Sequence, residues 1–368
     1  MAAGPILVVN AGSSSLKFAT YDRPSGALHT SGQVAQIGGA AELRFGGLRQ
    51  PISAADHGAA LTAVLAKLGE VSGPPSAVGH RVVHGGTIDQ PARITPGIHA
   101  QITAAAPMAP LHNPPALKVI DALQALHPDL PQVACFDTAF HGGNPPEATT
   151  FALPATLRAQ GVRRYGFHGL SYASVIRRFS ALTGQPLPQR LLVFHLGAGA
   201  SIAAVAGGKG VATTMGFSPL DGLTMATRAG SLDPGLLLFL LKQEGMSVER
   251  LETLLNFESG LLALGGTPDM KTLLDTDSDA ARFAVSHFIY WAARHAGAMI
   301  AAMQGVDGMV FTGGIGENAA PIRAAIQDRL RWVSSDTQLP VWVIPADEEG
   351  EIAQAVMALM PPASEPVV

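Results

Sequence analysis

Ile6-Leu-Val-Val-Asn10-Ala-Gly12-Ser-Ser-Ser15-Leu-Lys17 begins with an apolar run, ends that run on a polar residue, and turns back through small residues. The run predicts a buried strand over 6–10, and Leu16 to Tyr21 predicts its returning partner. The same layout recurs at Leu191-Leu-Val-Phe-His195-Leu-Gly197-Ala-Gly199-Ala-Ser201, with strands predicted over 191–195 and 201–206. Two such turns in two halves of one chain suggest a duplicated fold with a cleft between the halves. A tight turn of small residues exposes several backbone N–H groups on one side, and these can hold phosphate oxygens. Ser13, Ser14 and Ser15 add hydroxyl donors, Lys17 adds a mobile positive charge, and Asn10 offers an amide oxygen to a metal or a bridging water. Plain hairpins use the same residue types, so these turns alone leave both readings open.

A third glycine turn, Phe311-Thr-Gly-Gly-Ile-Gly-Glu-Asn318, falls between a predicted strand over 309–312 and a predicted helix over 321–330. Amides at such a junction can hold a nucleotide. The pattern GxxxxGK[ST] is absent, which excludes a P-loop enzyme by motif. Gly314-Ile-Gly316-Glu-Asn-Ala319 matches the looser dinucleotide fingerprint, which raises a rival nicotinamide or flavin enzyme. Too little chain follows it for a complete βαβαβ half, and Asp336 is expected in a loop and not at a strand end.

The composition narrows the class. Of 368 residues, 47% are hydrophobic and 14% charged, so a large core can form and the length suits two domains. A net charge of −4 without a basic run argues against a nucleic-acid partner. No stretch reaches the ~18 uncharged apolar residues of a membrane span. The N-terminus lacks a basic leader. Cys135 is alone, which favours a reducing compartment, and it reads as a small buried hydrophobe. A cytoplasmic location is therefore expected. Helical spacing predicts helices over 54–68, 116–126, 234–242, 248–255, 280–303 and 352–360. Further strands are predicted over 78–83, 133–136 and 341–344, and the tail Pro361–Val368 is expected to fray.

With the turns placed, the chain resembles the acetate kinases, members of the acetate and sugar kinase, heat-shock chaperone and actin fold group. The resemblance rests on Asn10 to Lys17, Gly79-His-Arg-Val-Val-His-Gly-Gly86, Leu111-His-Asn-Pro-Pro115 and Phe136-Asp-Thr-Ala-Phe-His141. It continues through Arg164-Tyr-Gly-Phe-His-Gly169, His195-Leu-Gly197, Met215 to Gly222, Thr227-Arg228, Asp233-Pro-Gly235 and Phe311 to Asn318. It implies an α/β, two-domain actin-like (ribonuclease H-like) ATPase fold with an interdomain cleft. Residues 1–139 with 350–368 would form the first domain and 140–349 the second, nucleotide-binding one. The implied reaction is reversible phosphoryl transfer from ATP to acetate, giving ADP and acetyl phosphate. Magnesium, or manganese in its place, and a homodimer are implied with it. Propionate and butyrate kinases of the same family are the near alternatives; a nucleotide-gated binding module is the alternative of another class.

The resemblance also assigns residues. Arg81 and Arg228 occupy the two active-site arginine positions, the first for the acetate carboxylate and the second for the transferring phosphoryl group. His168 takes the place of the transition-state-stabilising histidine, and Asp137 that of the active-site acid. Asn10 and Glu348 match the magnesium positions. Val83, Leu111, Phe167 and Pro219 match the apolar wall around the acetate methyl. Ser13, Ser15 and Lys17 would face the phosphates, as would His195, Leu196, Gly197, Ala198 and Gly199. Asp269, Met270, Lys271, Gly314, Ile315, Gly316, Glu317 and Asn318 would complete the nucleotide site. Two departures stand out. Ala198 replaces the asparagine of many members, and the segment Gly265–Lys271 is a residue short, with Lys271 in place of an arginine.

Overall fold

A computed structural model of the chain describes residues 4–333 and 339–360; Asp336 and the tail Pro361–Val368 lie outside the described residues. The chain divides into two compact units, one drawn from Met1–Gly142 with Asp347–Val368 and the other from Gly143–Ala346. The expected divisions were at 139/140 and 349/350. Residues up to Gly142 stay with the first unit because the short helix Ala139–His141 closes on Gly142, whose amide donates to Ala139. Asp347 belongs with the first unit because its carboxylate caps the helix Glu348–Leu359 through the Gly350 amide.

The first unit is built on an eight-stranded sheet. Its strands are β1 (Ile6–Ala11), β2 (Leu16–Tyr21), β3 (Leu28–Ala35), β4 (Glu42–Phe45), β5 (Leu48–Pro51), β6 (Ala77–Val82), β7 (Ala92–Arg93) and β8 (Gln132–Phe136). They lie in the order β5-β4-β3-β2-β1-β6-β8-β7. The strands β1, β6 and β8 run parallel, whereas β1 to β5 form an antiparallel meander. Parallel strands are covered on both faces, which is why Ile6–Val9 and Val133–Phe136 are continuous apolar runs, all buried. The helix Glu348–Leu359 lies directly over β6: a Cβ on Gly79 would come within 2.4 Å of Ile352 and 2.8 Å of Val356. Glycine at 79 is what lets the last helix seat there.

The second unit has a five-stranded sheet of β9 (Arg190–Leu196), β10 (Ala200–Ala206), β11 (Lys209–Thr213), β12 (Gly308–Thr312) and β13 (Val341–Val343). Its order is β11-β10-β9-β12-β13, with β9, β12 and β13 parallel. That sequence of antiparallel and parallel neighbours repeats β3-β2-β1-β6-β8 of the first sheet. The shared layout of the two glycine turns is therefore a shared topology. The long helix Asp279–Met303 packs its alanine-rich face, Ala284, Ala292 and Ala296, toward β10 and β9.

One core residue of the first unit makes stability depend on pH. His80 is buried on β6, with Nε2 2.8 Å from Gln132 Oε1, and burial lowers its pKa to about 4. Its folded pKa lies below the unfolded value of 6.5, so its contribution is present above that value and is lost as pH falls toward 4. Acid from pH 6.5 to 4 is expected to cost roughly 3 kcal/mol at this residue. Urea unfolding across that range should show a shallower acid slope in His80→Gln. An identical slope would mean that His80 titrates equally in both states.

Candidate active site

In the first unit β6 and β8 are in parallel register, with Val82 beside Phe136, and the Asp137 amide donates to the Val82 carbonyl at 3.1 Å. That register sets Arg81 and Asp137 side by side. Arg81 donates from Nε to Asp137 Oδ1 at 3.1 Å and from Nη2 to Oδ2 at 2.6 Å, a two-pronged pair. Its Nη1 lies 3.4 Å from Glu348 Oε2, at the start of the last helix. Burial raises the Asp137 carboxyl above the usual carboxylate range, with Arg81 opposing and Glu348 adding to it. Burial works against the charge on Arg81, but Asp137 and Glu348 together outweigh it and raise its pKa.

Two carboxyl groups therefore face one guanidinium in this cluster. Asn10, half-buried at the end of β1, adds an amide oxygen to the same unit. Among the described residues no three His, Cys, Asp or Glu converge on a metal position. An all-oxygen set with few carboxylates fits magnesium, which keeps several waters and phosphate oxygens as ligands. The turn after β1 is closed by the Gly12 amide donating to Ser15 O at 2.9 Å, and His57 Nε2 donates to the Gly12 carbonyl at 2.7 Å. Ser13 and Lys17 are exposed there, while Ser15 is half-buried.

In the second unit His168 and His195 stack, with ring centroids 4.1 Å apart and planes 21° from parallel. Each Nδ1 lies 2.8 Å from a serine hydroxyl, Ser201 for His168 and Ser171 for His195. His168 sits in the left-handed region, φ +59°, just before the helix Gly169–Thr183, a strained backbone for a side chain of this size. A Cβ on Gly199 would stand 3.0 Å from His168 Nε2 and 3.9 Å from Arg228 Nη1. The bare glycine therefore leaves a space bordered by an imidazole and a guanidinium.

Arg228 makes no ion pair among the described residues; its Nη1 donates to the Pro219 carbonyl at 3.3 Å and reaches Met225 Sδ at 3.9 Å. Loss of water around this guanidinium lowers its pKa, with no carboxylate to compensate. The contrast with Arg81 is plain. A desolvated cation without an anion is costly unless a ligand supplies one.

Eight of the sixteen nucleotide candidates line a cavity of about 690 Å³ in the same unit; His195, Leu196, Gly199, Gly316 and Glu317 do not line it, and Ser13, Ser15 and Lys17 belong to the first unit. Gly197 and Ala198 line it from the turn after β9, Asp269, Met270 and Lys271 from the start of the helix Met270–Asp275, and Gly314, Ile315 and Asn318 from the helix Gly313–Asn318. Gly313, at φ +77°, makes the strand-to-helix turn possible, since a Cβ there would lie 2.8 Å from the Leu196 carbonyl. Gly314 faces open space, so its backbone is accessible to a ligand. Two candidates have their carboxylates occupied by the protein itself. Asp269 accepts from the Lys271 and Thr272 amides, and Glu317 Oε1 accepts from the Gly313 and Ala346 amides at 3.0 Å. Leu196 and Gly316 are buried. Pro268, Leu274, Ala319 and Pro321 also line the cavity, and the resemblance assigned none of them to the nucleotide.

Of the apolar-wall candidates, Val83 and Leu111 belong to the first unit and are half-buried. Buried Asn113 ties their segments together, accepting from the His84 amide at 3.0 Å and donating to the His84 carbonyl at 2.9 Å. In the second unit Phe167 is buried, and the half-buried Pro219 turns its carbonyl to Arg228.

The model of the acetokinase family matches residues 5–341. This chain belongs to the acetokinase family. It is similar to an acetate kinase from Rhodopseudomonas palustris, 43% identical over 96% of this chain and 98% of that protein. An acetate kinase from Streptomyces coelicolor is 40% identical over 100% and 99%. Among solved structures, acetate kinase from Porphyromonas gingivalis has a TM-score of 0.89 at 33% identity, covering 97% of this chain and 100% of that one. A propionate kinase from Francisella tularensis has a TM-score of 0.90 at 33% identity, covering 96% and 98%. This acetokinase therefore has the actin-like two-domain ATPase fold, and the rival dinucleotide reading of Gly314–Ala319 falls away.

Sequence reasoning passed over the residues that hold these groups. Ser201 and Ser171 orient the two imidazoles. Tyr172 lies 2.5 Å from the Ser201 hydroxyl. Asp221 accepts from Arg164 at 2.8 Å and from Ser231 at 2.6 Å, pinning the segment that carries Pro219. Ser171 and Tyr172 lie inside the helix Gly169–Thr183 and Ser201 on β10, where a lone hydroxyl carries no spacing signal, and only tertiary neighbours give it a role.

Proposed function

We propose that this acetokinase transfers the γ-phosphoryl group of ATP to acetate, giving ADP and acetyl phosphate, and catalyses the reverse reaction. An acetate oxygen attacks the γ-phosphorus, the bond to the β-phosphate oxygen breaks, and ADP leaves with the electron pair. Such transfer needs positioning and charge neutralisation more than covalent chemistry. The observation that supports this reading best is the space at Gly199, bordered by His168 Nε2 and by an arginine with no carboxylate of its own. A phosphoryl group there would meet Arg228 as a fixed positive charge and His168 as a neighbouring ring. Arg81 would hold the acetate carboxylate, exchanging part of its pairing with Asp137 and Glu348 for the substrate. Val83 and Leu111 of the first unit, and Phe167 and Pro219 of the second, are the apolar residues proposed for the methyl group. Gly197, Ala198, Met270, Lys271, Gly314, Ile315 and Asn318 would receive the nucleotide, with Ser13, Ser15, Lys17 and His195 toward its phosphates.

Asn10 and Glu348 would hold magnesium, which when bound neutralises phosphate charge. A cytoplasmic location is proposed with this reading, supported by the lone, buried free thiol of Cys135; separately, no helix of the described residues is long and apolar enough to cross a membrane. A homodimer is supported by the helix Pro234–Lys242, which has no buried residue and leaves Leu236, Leu238 and Phe239 41%, 53% and 49% exposed. Light scattering should give about twice the chain mass of 38.0 kDa. A mass of one chain would remove the dimer.

Trapping acyl phosphate as hydroxamate, with ATP, magnesium and acetate, propionate or butyrate, tests the reaction. Acetate is expected to give the highest kcat/KM. A hydrophobic pocket separates substrates that differ by one methylene by only about 1–3 kcal/mol, so propionate should follow at roughly 10- to 200-fold lower kcat/KM. A propionate-preferring sibling is the second reading, since the Francisella propionate kinase is as similar in structure as the Porphyromonas acetate kinase. No hydroxamate from any of the three acids would refute the kinase.

A further inference from the structure

We infer that Gly260 and Thr227 position Arg228, acting as a mount that fixes where its guanidinium meets the phosphoryl group; the inference rests on the role proposed above for Arg228. Arg228 ends a tight turn in which the Met225 amide donates to the Arg228 carbonyl at 3.1 Å. Nothing in that turn is held by a strand or a long helix. It is seated instead on the first residues of the helix Gly260–Gly265. The Ser259 amide donates to Thr227 O at 3.0 Å, the Leu261 amide to Met225 O at 2.9 Å, and the Leu262 amide to Ala226 O at 3.0 Å. Helix-start amides ordinarily need a side chain or water as acceptor. Here three successive carbonyls of the arginine turn serve in that place.

Gly260 makes the seat close. It is buried at φ +65°, and a Cβ there would lie 2.2 Å from the Met225 carbonyl oxygen, 2.8 Å from that of Arg228 and 3.0 Å from the Arg228 amide. All three contacts are backbone, so no side chain can yield; the turn itself must move. Thr227 adds a second tether, its hydroxyl donating to the Asn256 carbonyl at 2.7 Å. A third bond runs toward the phosphate turn, from the Ala226 amide to the Ala198 carbonyl at 3.1 Å. The mount thus couples the arginine turn to the turn carrying Gly197 and Gly199, whose backbone borders the reacting space.

The test is a double-mutant cycle in the full chain with ATP, magnesium and acetate. Gly260→Ala is expected to lower kcat by roughly 10- to 100-fold, since a displacement of about 1 Å at a reacting group can cost that much. The KM values for both substrates should stay within about twofold, because binding and positioning are separable. Thr227→Val, which removes one hydrogen bond without backbone strain, should lower kcat about threefold. In an Arg228→Ala background neither substitution should lower kcat further, because residues acting through one group are not additive. A loss of the same factor in both backgrounds, or none in either, overturns the inference. If Gly260→Ala does not fold, as judged by circular dichroism, Thr227→Val in the two backgrounds decides by the same criterion. An unchanged kcat in Arg228→Ala alone would instead remove the role proposed for Arg228, and the inference with it.

Discussion

Arg228→Ala is expected to lower kcat by at least about 10²-fold, the usual effect of removing a preorganised charge that acts mainly in the transition state. Arg228 has no carboxylate partner among the described residues, and the loss of water around it lowers its pKa. The protein therefore maintains a cation at a cost that an anionic ligand can offset. If the group were needed for ground-state binding, KM would rise with kcat intact. The expected pattern is the opposite, a fall in kcat with nucleotide KM nearly unchanged. Arg228→Lys should recover only part of the loss, since an ammonium keeps the charge without the planar fork. Steady-state kinetics on the three proteins checks the prediction, and equal kcat in wild type and Arg228→Ala would remove the role.

Arg81→Ala is expected to damage stability as well as activity, which separates it from Arg228→Ala. Asp137 is buried with a side chain only 2% exposed, and Arg81 is its two-pronged partner. Removing the guanidinium leaves that carboxylate desolvated beside Glu348, and breaking a buried pair from one side costs about 3–5 kcal/mol. Arg81→Ala/Asp137→Ala removes both charges and should be more stable than Arg81→Ala alone, a coupling that urea unfolding measures directly. Arg228→Ala should leave the unfolding midpoint almost unchanged by comparison. A double variant no more stable than the single one would show that Asp137 finds another partner.

The strands were the most legible part of the fold. Ile6–Ala11, Leu16–Tyr21 and Arg190–Leu196 are fully or almost fully covered, so their apolar runs match their burial closely. The meander from Leu28 to Pro51 leaves no strand pattern in the sequence, because β3 carries Leu28-His-Thr-Ser-Gly-Gln with its first half exposed, and β5 is exposed throughout. The helix Gly169–Thr183 shows in sequence only as the flank of the motif Arg164–Gly169. It starts on glycine after a histidine in the left-handed region, without a side-chain cap to announce it. The helix Glu348–Leu359 starts a turn before the expected 352–360, because Glu348, Glu349 and Glu351 crowd its first turn and look in sequence like a solvated segment.

The opening turns followed the same division. Asn10 to Lys17 and His195 to Ser201 show in sequence that the chain twice makes a strand, a small-residue turn and a return. Side-chain pattern alone determines that much, since strand burial and turn chemistry are local. It also yields the family, because Gly79–Gly86, Arg164–Gly169 and Phe311–Asn318 stand in one order along one chain. Only the tertiary structure decides that Arg81 is paired and Arg228 is not. Nothing in their sequence neighbours separates the two arginines, and what distinguishes them is a carboxylate more than fifty positions from Arg81, just past the end of the strand that β6 happens to pair with. Charge pairing acts through space over a few ångströms, and the fold, not the chain order, sets which groups come that close.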